Sequence, residues 1–355
     1  MSIKVFLKRV FDFIKRHKWS LLLIFTTLII GGFFVWDSYT AKIEDAPKEQ
    51  IVPKKKEPEL FSAPFSGIKI EKEVLERRPI AVMIENHPDS RPQSGLNEAD
   101  FIFEAIAEGG ITRFLALYHS NEVKKEIGPV RSARSYFVEW ADSYDALYAH
   151  VGGSAEALNL INRLNLSDLN QFSLGKYFWR DRTRYAPHNV YTTTAKLREA
   201  AKSKSYKTIK KDILGYTFKK DLNKEERPES QRFTVGFGGG YAPTYNYNQE
   251  CNCYVRSLLG SVQRDRVTKK EIIAKNVIVV FSKTGSIRLR NTTYTTIETI
   301  GGGKALIYQD GKLIIGTWKR NLGMPIRFYD DFQNEVRLNV GTTWVEVVGI
   351  GTKVY

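Results

Sequence analysis

Three polar groups in this chain stand just beyond segments that read as β-strands. Glu85-Asn86-His87 follows Ile80–Ile84, Glu108-Gly109-Gly110 follows an alternating segment from Asp100, and His150 ends Ala146–Val151, directly before Gly152-Gly153-Ser154. In open α/β sheets ligands bind beyond the carboxyl ends of the strands, so parallel strands would bring the three groups to one rim. The short link from Glu108 to Arg113 reads instead as an antiparallel hairpin, which would put Glu108 at a turn.

Arg131 and Arg134 lie three apart at the start of a segment with helical spacing, Arg131–Tyr144, and would share a helix face with Ser132 beside them. Free N–H groups of a first helical turn attract anions, and guanidinium forks bind carboxylate or phosphate in bidentate fashion. The competing reading pairs both arginines with carboxylates such as Glu85 or Glu104. Gly152-Gly153-Ser154 before a helix is either a second anion cradle or only a tight turn. Arg182, Arg184, His188 and Asn189 form a further polar cluster on a loop stiffened by Pro187. Arg113 completes the candidate ligand-binding set.

Catalytic patterns are incomplete. Ser94, Ser132, Ser135 and Ser154 have no G-x-S-x-G elbow around them. Glu85 and Glu108 are available as an acid/base pair of the kind glycosidases use, or simply balance arginines. His87, His150 and His188 match no close-spaced zinc motif, so neither a metal nor a cofactor is expected. Phe172, Tyr177, Phe178 and Trp179 read either as a stacking surface for sugars or peptides or as core, core being favoured. Cys251 and Cys253 are the two cysteines. In a regular strand, residues i and i+2 have Cα atoms about 6.6 Å apart. A bridge between them therefore requires a tight turn.

The elements that must position these groups fall into two patterns. Residues 66–205 alternate short strands with helices: strands at Ile80–Ile84, Asp100–Glu108, Arg113–His119 and Ala146–Val151, and helices at Arg131–Tyr144, from Ser154 to Leu164, and from Thr192 or Thr193 to about Lys202. Residues 206–231 are charged and read as a connection. Residues 232–355 are β-rich, with strands at Asn276–Ser282, Tyr294–Ile300, Lys304–Gln309, Lys312–Trp318 and Trp344–Val348, and a hairpin signal at Asp310-Gly311. The expected fold is an α/β domain followed by a β-rich domain.

Ahead of both lies an anchor. Residues 1–18 carry six Lys/Arg and one Asp, and the 18 residues from Trp19 to Trp36 carry no charge. As a helix that run spans about 27 Å, enough to cross a bilayer core, with a Trp at each interface. The basic side stays cytoplasmic by the positive-inside rule, leaving residues 1–18 inside, 19–36 in the membrane and the rest outside. The sequence after the run offers no A-x-A cleavage site and no cysteine to acylate. Residues 37–65, with four prolines and a Lys54-Lys55-Lys56 run, read as a flexible linker. Of the formal net charge of +15, residues 37–355 hold +10, which suits an anionic envelope neighbour or is a generic solubility feature. Nucleic acid fits the charge but not an exported topology.

Several long stretches, in order, resemble one family. They are Arg78–Pro88 (RPIAVMIENHP), Arg91–Leu96 (RPQSGL), Glu108–Phe114 (EGGITRF), Ile127–Arg134 (IGPVRSAR), His150–Ser154 (HVGGS), Ala274–Val277, Gly302–Ala305 and Gly316–Trp318. Together they are similar to the YerB family of envelope lipoproteins from Gram-positive-type bacteria. The resemblance implies a two-part domain of unknown function over about 66–350, with no established catalytic residues to carry over. This chain departs from the family in having an apolar helix where a lipobox cysteine would stand.

The expectation is therefore a membrane-anchored envelope protein that binds an anionic wall component or a partner protein without catalysis, the alternative being an envelope hydrolase that uses Glu85 and Glu108.

Overall fold

A computed structural model describes residues 3–44, 59–210, 212–289 and 292–355. The chain divides into two units, Met1–Glu57 and Pro58–Tyr355. Among its described residues the first holds the helix α1 (Ile3–Glu44), long and apolar enough to cross a membrane by length and composition. His17 leaves helical geometry (φ −110°, ψ 17°), dividing the basic segment from the apolar run. Residues 37–44 continue this helix instead of starting a linker, and the Pro- and Lys-rich stretch 45–58 lies outside the described residues.

The second unit is built on a ten-stranded mixed sheet. In chain order its strands are β1 (Ile80–Glu85), β2 (Phe101–Ile106), β3 (Thr112–Tyr118), β4 (Leu147–His150), β5 (Asp168–Asn170), β6 (Asn276–Ser282), β7 (Gly301–Gln309), β8 (Lys312–Arg320), β9 (Arg327–Asp330) and β10 (Thr343–Gly349). Their order across the sheet is β9-β8-β7-β6-β10-β2-β3-β1-β4-β5. The β10–β2 and β6–β10 pairs are parallel, so strands from residues 276–349 complete a sheet begun by residues 80–170. The α/β and β-rich segments thus share one sheet. Buried Phe65 and the strand pair Phe61–Ser62 with Lys69–Ile70 start the fold before residue 66.

Near-continuous apolar strands such as Ile80-Ala-Val-Met-Ile suit a sheet covered on both faces. Ala81, Met83, Phe101 and Phe103 pack toward α2 (Ser135–Ser143) and α3 (Ala155–Arg163). Val82, Ile84 and Ile102 face the opposite core, which includes α4 (Thr194–Ser203) and the small sheet of residues 232–274. Ser154 and Thr193 cap α3 and α4 by accepting from the N–H groups of Ala157 and Lys196. Asp310 and Gly311, both at positive φ, turn the β7–β8 hairpin.

One expected element is corrected. The helix read from Arg131 starts at Ser135, and residues 131–134 are extended. The Arg131 and Ala133 N–H groups donate to the Met83 and Gly152 carbonyls, and their own carbonyls, which a helix would give to residues 135 and 137, accept from the Val151 and Ser154 N–H groups. The Tyr136–Trp140–Tyr144 stripe is buried as its spacing requires.

Candidate functional site

β1 and β4 run parallel, while β3 lies antiparallel to both β1 and β2, so only some of the polar groups converge. At the carboxyl end of β1, the Glu85 carboxylate is gripped on both oxygens. Arg131 Nε donates to Oε1 at 2.8 Å and His188 Nδ1 bonds Oε2 at 2.8 Å. His87 stacks on His188 with ring centroids 4.5 Å apart and planes 16° from parallel. The sequence separates His87 from His188 by a hundred residues; the fold brings them together. The side chain of Glu85 is 4% exposed, against 23% for Arg131 and 15% for His188, so the partners face the solvent side of the pair. Among the described residues, Nη1 and Nη2 of Arg131 have no protein partner.

Asn86 lies beneath this cluster, fully buried. Its Nδ2 donates to Thr112 Oγ1 (2.8 Å) and Glu104 Oε1 (3.2 Å), and its Oδ1 accepts from Gln93 Nε2 (3.0 Å) and Arg91 Nε (3.1 Å). With four partners it has no capacity left for a ligand, and it pins the 86–93 loop to the sheet. Arg184 clamps the facing loop by donating to the Ser90 and Pro92 carbonyls. Arg91 and Arg184 thus fix the loop that follows His87, while Arg131 is the arginine that contacts the Glu85 carboxylate. The sequence reading assigned no role to Arg91, although it lies in one of the family stretches. Nothing in its spacing showed that it would fold back on Asn86.

The remaining candidates have structural roles. Glu108 sits in the β2–β3 turn, where Arg134 engages both its oxygens and Arg113 Nη2 donates at 3.2 Å. Burial pushes the Glu108 carboxyl up, but Arg134 and Arg113 outweigh it and hold it below the usual carboxylate range. Arg113, buried next to Arg134, is pushed down to about 10. Arg131 and Arg134 therefore point to different carboxylates, a consequence of the extended backbone between them. The Ser132 carbonyl accepts from Arg113. His150 is fully buried, its Nδ1 against the Gly152 carbonyl and its Nε2 against Asp168, both at 2.8 Å. Gly152 is at φ +56° with Phe172 against it, and a Cβ on Gly153 would lie 3.2 Å from Ala133. The Gly pair serves close packing, and Ser154 is an N-cap. Asn189 closes the 180–189 loop through Arg180, Asp181 and the Arg184 carbonyl, and Arg182 is exposed. Tyr177 and Phe178 are core, whereas Phe172 is 73% exposed.

Two further features lie among residues 97–98 and 248–275. A groove of about 980 Å³ runs between the Asn97–Glu98 turn and the small sheet, with Arg264, Lys269, Lys270 and Lys275 among its walls. Cys251 and Cys253, which line it, form a disulfide. The regular-strand spacing that argued against a bridge does not apply, because Asn252 adopts φ +48° in a turn and brings the two Cα atoms to 5.2 Å.

Comparison with known proteins agrees with this architecture. Residues 65–207 match the model described as "Protein of unknown function (DUF3048) N-terminal domain", and residues 233–345 match its C-terminal counterpart. The chain is 35% identical over 292 residues to "Putative lipoprotein YerB" of Bacillus subtilis (strain 168), covering 81% of this chain and 86% of that protein. It is also similar to the crystal structure of YerB protein from Bacillus subtilis, with a TM-score of 0.75 at 33% identity, covering 83% of this chain and 99% of that one. Two halves that contribute strands to one sheet, each matching its half of the same two-part model, make this chain a member of the YerB (DUF3048) family, whose function is unknown.

Proposed function

We propose that this protein is an envelope-anchored binding module that takes an anionic group of a wall component at the Arg131–His87–His188 rim. One observation carries the reading. Glu85 holds Arg131 through Nε, leaving both terminal amino groups without a hydrogen-bond partner among the described residues, beside two stacked imidazoles. A guanidinium fixed by its Nε presents its fork without further ordering, which favours bidentate capture of carboxylate or phosphate. The apolar α1 helix and the lipoprotein named among the relatives support placement at a membrane surface. The surplus of positive charge after residue 36 favours approach to a polyanion.

The hydrolytic alternative is less well supported. Glu108 is held ionised by two arginines and is unsuited to donate a proton, and both oxygens of Glu85 are occupied. The test is titration of the full chain in detergent micelles with teichoic-acid fragments and with muropeptides. Arg131→Ala should weaken binding about tenfold or more, the value of a lost charge-assisted pair. Unchanged affinity would remove Arg131 from the site.

A further inference from the structure

We infer that Cys251–Cys253 is an exchange-active disulfide, a site that accepts electrons from an exported protein dithiol approaching along the groove. It is independent of the Arg131 rim and rests on three observations.

First, the bridge does not hold the fold around it. It closes a loop of three residues, the kind of cross-link that restrains an unfolded chain least. The turn is secured by other bonds. Asn248 Oδ1 accepts from the Glu250 N–H at 2.9 Å and the Cys251 N–H at 3.3 Å. Asn252 Oδ1 accepts from Tyr247 OH at 2.8 Å, its Nδ2 donates to Asp310 at 2.7 Å, and Lys275 Nζ reaches the Cys251 carbonyl at 3.3 Å. Opening the bridge leaves each of these bonds in place, so oxidised and reduced states share one backbone.

Second, the two sulfurs are differently placed. Cys251 is exposed at the turn, while Cys253 begins a strand and is 1% exposed. An incoming thiolate therefore meets Cys251, and Cys253 is the leaving group. Exposed disulfides are the labile and catalytic ones, whereas buried ones resist reduction.

Third, the surroundings favour thiolates. Lys275 Nζ lies 3.3 Å from the Cys251 carbonyl and is paired with Asp221, Arg264 is paired with Glu271, and Lys269 and Lys270 line the same groove. Among the described residues, Lys269 and Lys270 have no carboxylate partner. Positive surroundings lower thiol pKa values and stabilise both the attacking and the departing thiolate.

The step balances without a further reagent. A thiolate of the partner attacks Cys251 Sγ, the S–S bond breaks, and its electron pair goes to Cys253 Sγ, which takes up a proton. The partner's second thiol, deprotonated, attacks its own sulfur in the mixed disulfide and releases Cys251 as thiolate, which is then protonated. Two electrons and two protons pass from the partner dithiol to the bridge. No other cysteine in the chain competes.

The experiment uses the full chain in detergent micelles, incubated without denaturant in glutathione redox buffers and with a reduced dithiol peptide. Thiols are then trapped by alkylation and mapped by mass spectrometry. The expected result is an open bridge in buffers that leave structural disulfides closed, with the glutathione adduct on Cys251 and a cooperative melting transition retained and lowered by no more than a few degrees. In Cys253→Ser, the Cys251 thiolate should attack oxidised glutathione and hold the glutathione adduct, releasing one reduced glutathione, with no second thiol to resolve it. A bridge that stays closed in excess reduced dithiol, an adduct found mainly on Cys253, or a melting transition lost on reduction would each overturn the inference. Because the wild-type equilibrium is measured directly, misfolding of a variant does not decide the outcome.

Discussion

Replacing Glu346 by Gln is expected to stabilise the protein at neutral pH. Glu346 lies on β10 and is fully buried near Glu104 of β2 and Arg256 of the small sheet. Arg256 Nη2 donates to Glu104 Oε2 at 2.5 Å, and its guanidinium lies 4.8 Å from the Trp344 ring centre. One buried arginine thus faces two carboxyl groups. Glu104 also accepts from Asn86 and Thr112, while Glu346 accepts only from Tyr245 OH, and its Oε2 has no partner among the described residues. Burial, reinforced by the charge on Glu104, pushes the Glu346 carboxyl well above its ordinary 4.5 against the pull of Arg256. The native state therefore keeps a proton that the unfolded chain releases above its ordinary value. The group's contribution is fully present below pH 4.5 and is lost as pH rises toward the folded value. That retained proton is a cost at neutral pH which grows with the size of the upward shift. Glu346→Gln supplies a neutral group of the same shape without that cost. Its melting temperature should exceed wild type at pH 7, and the gap should narrow steadily and close as pH falls toward 4.5. Thermal melts of both proteins across that range test this. A variant less stable than wild type at pH 7, or a difference that ignores pH, would refute a neutral Glu346.

Other outcomes follow from the same geometry. Arg134→Ala should cost roughly 3 kcal/mol of stability by leaving Glu108 and Arg113 imperfectly paired, yet leave ligand affinity intact. Arg131→Ala should weaken ligand affinity and also cost stability, because it leaves the buried Glu85 carboxylate with His188 alone, with chemical denaturation and ligand titration as paired readouts. Burial pushes the His119 imidazole down to about 4 despite the attraction of Asp100. The unfolded chain takes up that proton first, so stability present above about 6.5 is lost as pH falls toward 4, by about 3 kcal/mol. In His119→Gln, the urea midpoint should fall less over that window. Replacing both cysteines by Ser should cost less than about 2 kcal/mol, since a three-residue loop yields only about 1.6 kcal/mol of chain entropy.

Much of the local structure was legible in the sequence. The strand at Asn276–Ser282 and the caps of α3 and α4 depend on short-range pattern and turn chemistry, which act within a few residues. The Asp310-Gly311 hairpin is of the same kind. The start of α2 was not legible, because the backbone of 131–134 is drawn into bonds with Met83 and Gly152, partners far off in the chain. The same cause split Arg131 from Arg134. That β10 inserts beside β2, joining the two segments in one sheet, is a long-range pairing that periodicity does not encode. At the site, Glu85, His87, Arg131 and His188 were all picked out by residue type, but their meeting depends on the loop clamp by Arg184. His150 looked equally functional in sequence and proved to be a satisfied core group. The disulfide stayed open in the sequence, because it needs a tight turn that residue spacing does not give and that Asn252 supplies.

The most direct test of the central reading is the imidazole NMR spectrum of the full chain in micelles, recorded while teichoic-acid fragments are titrated in. An anionic ligand at the rim should shift the His87 and His188 signals together in a saturable way, leave buried His150 unmoved, and lose the effect in Arg131→Ala. Saturable binding that leaves His87 and His188 unshifted, or that persists unchanged in Arg131→Ala, would contradict the account.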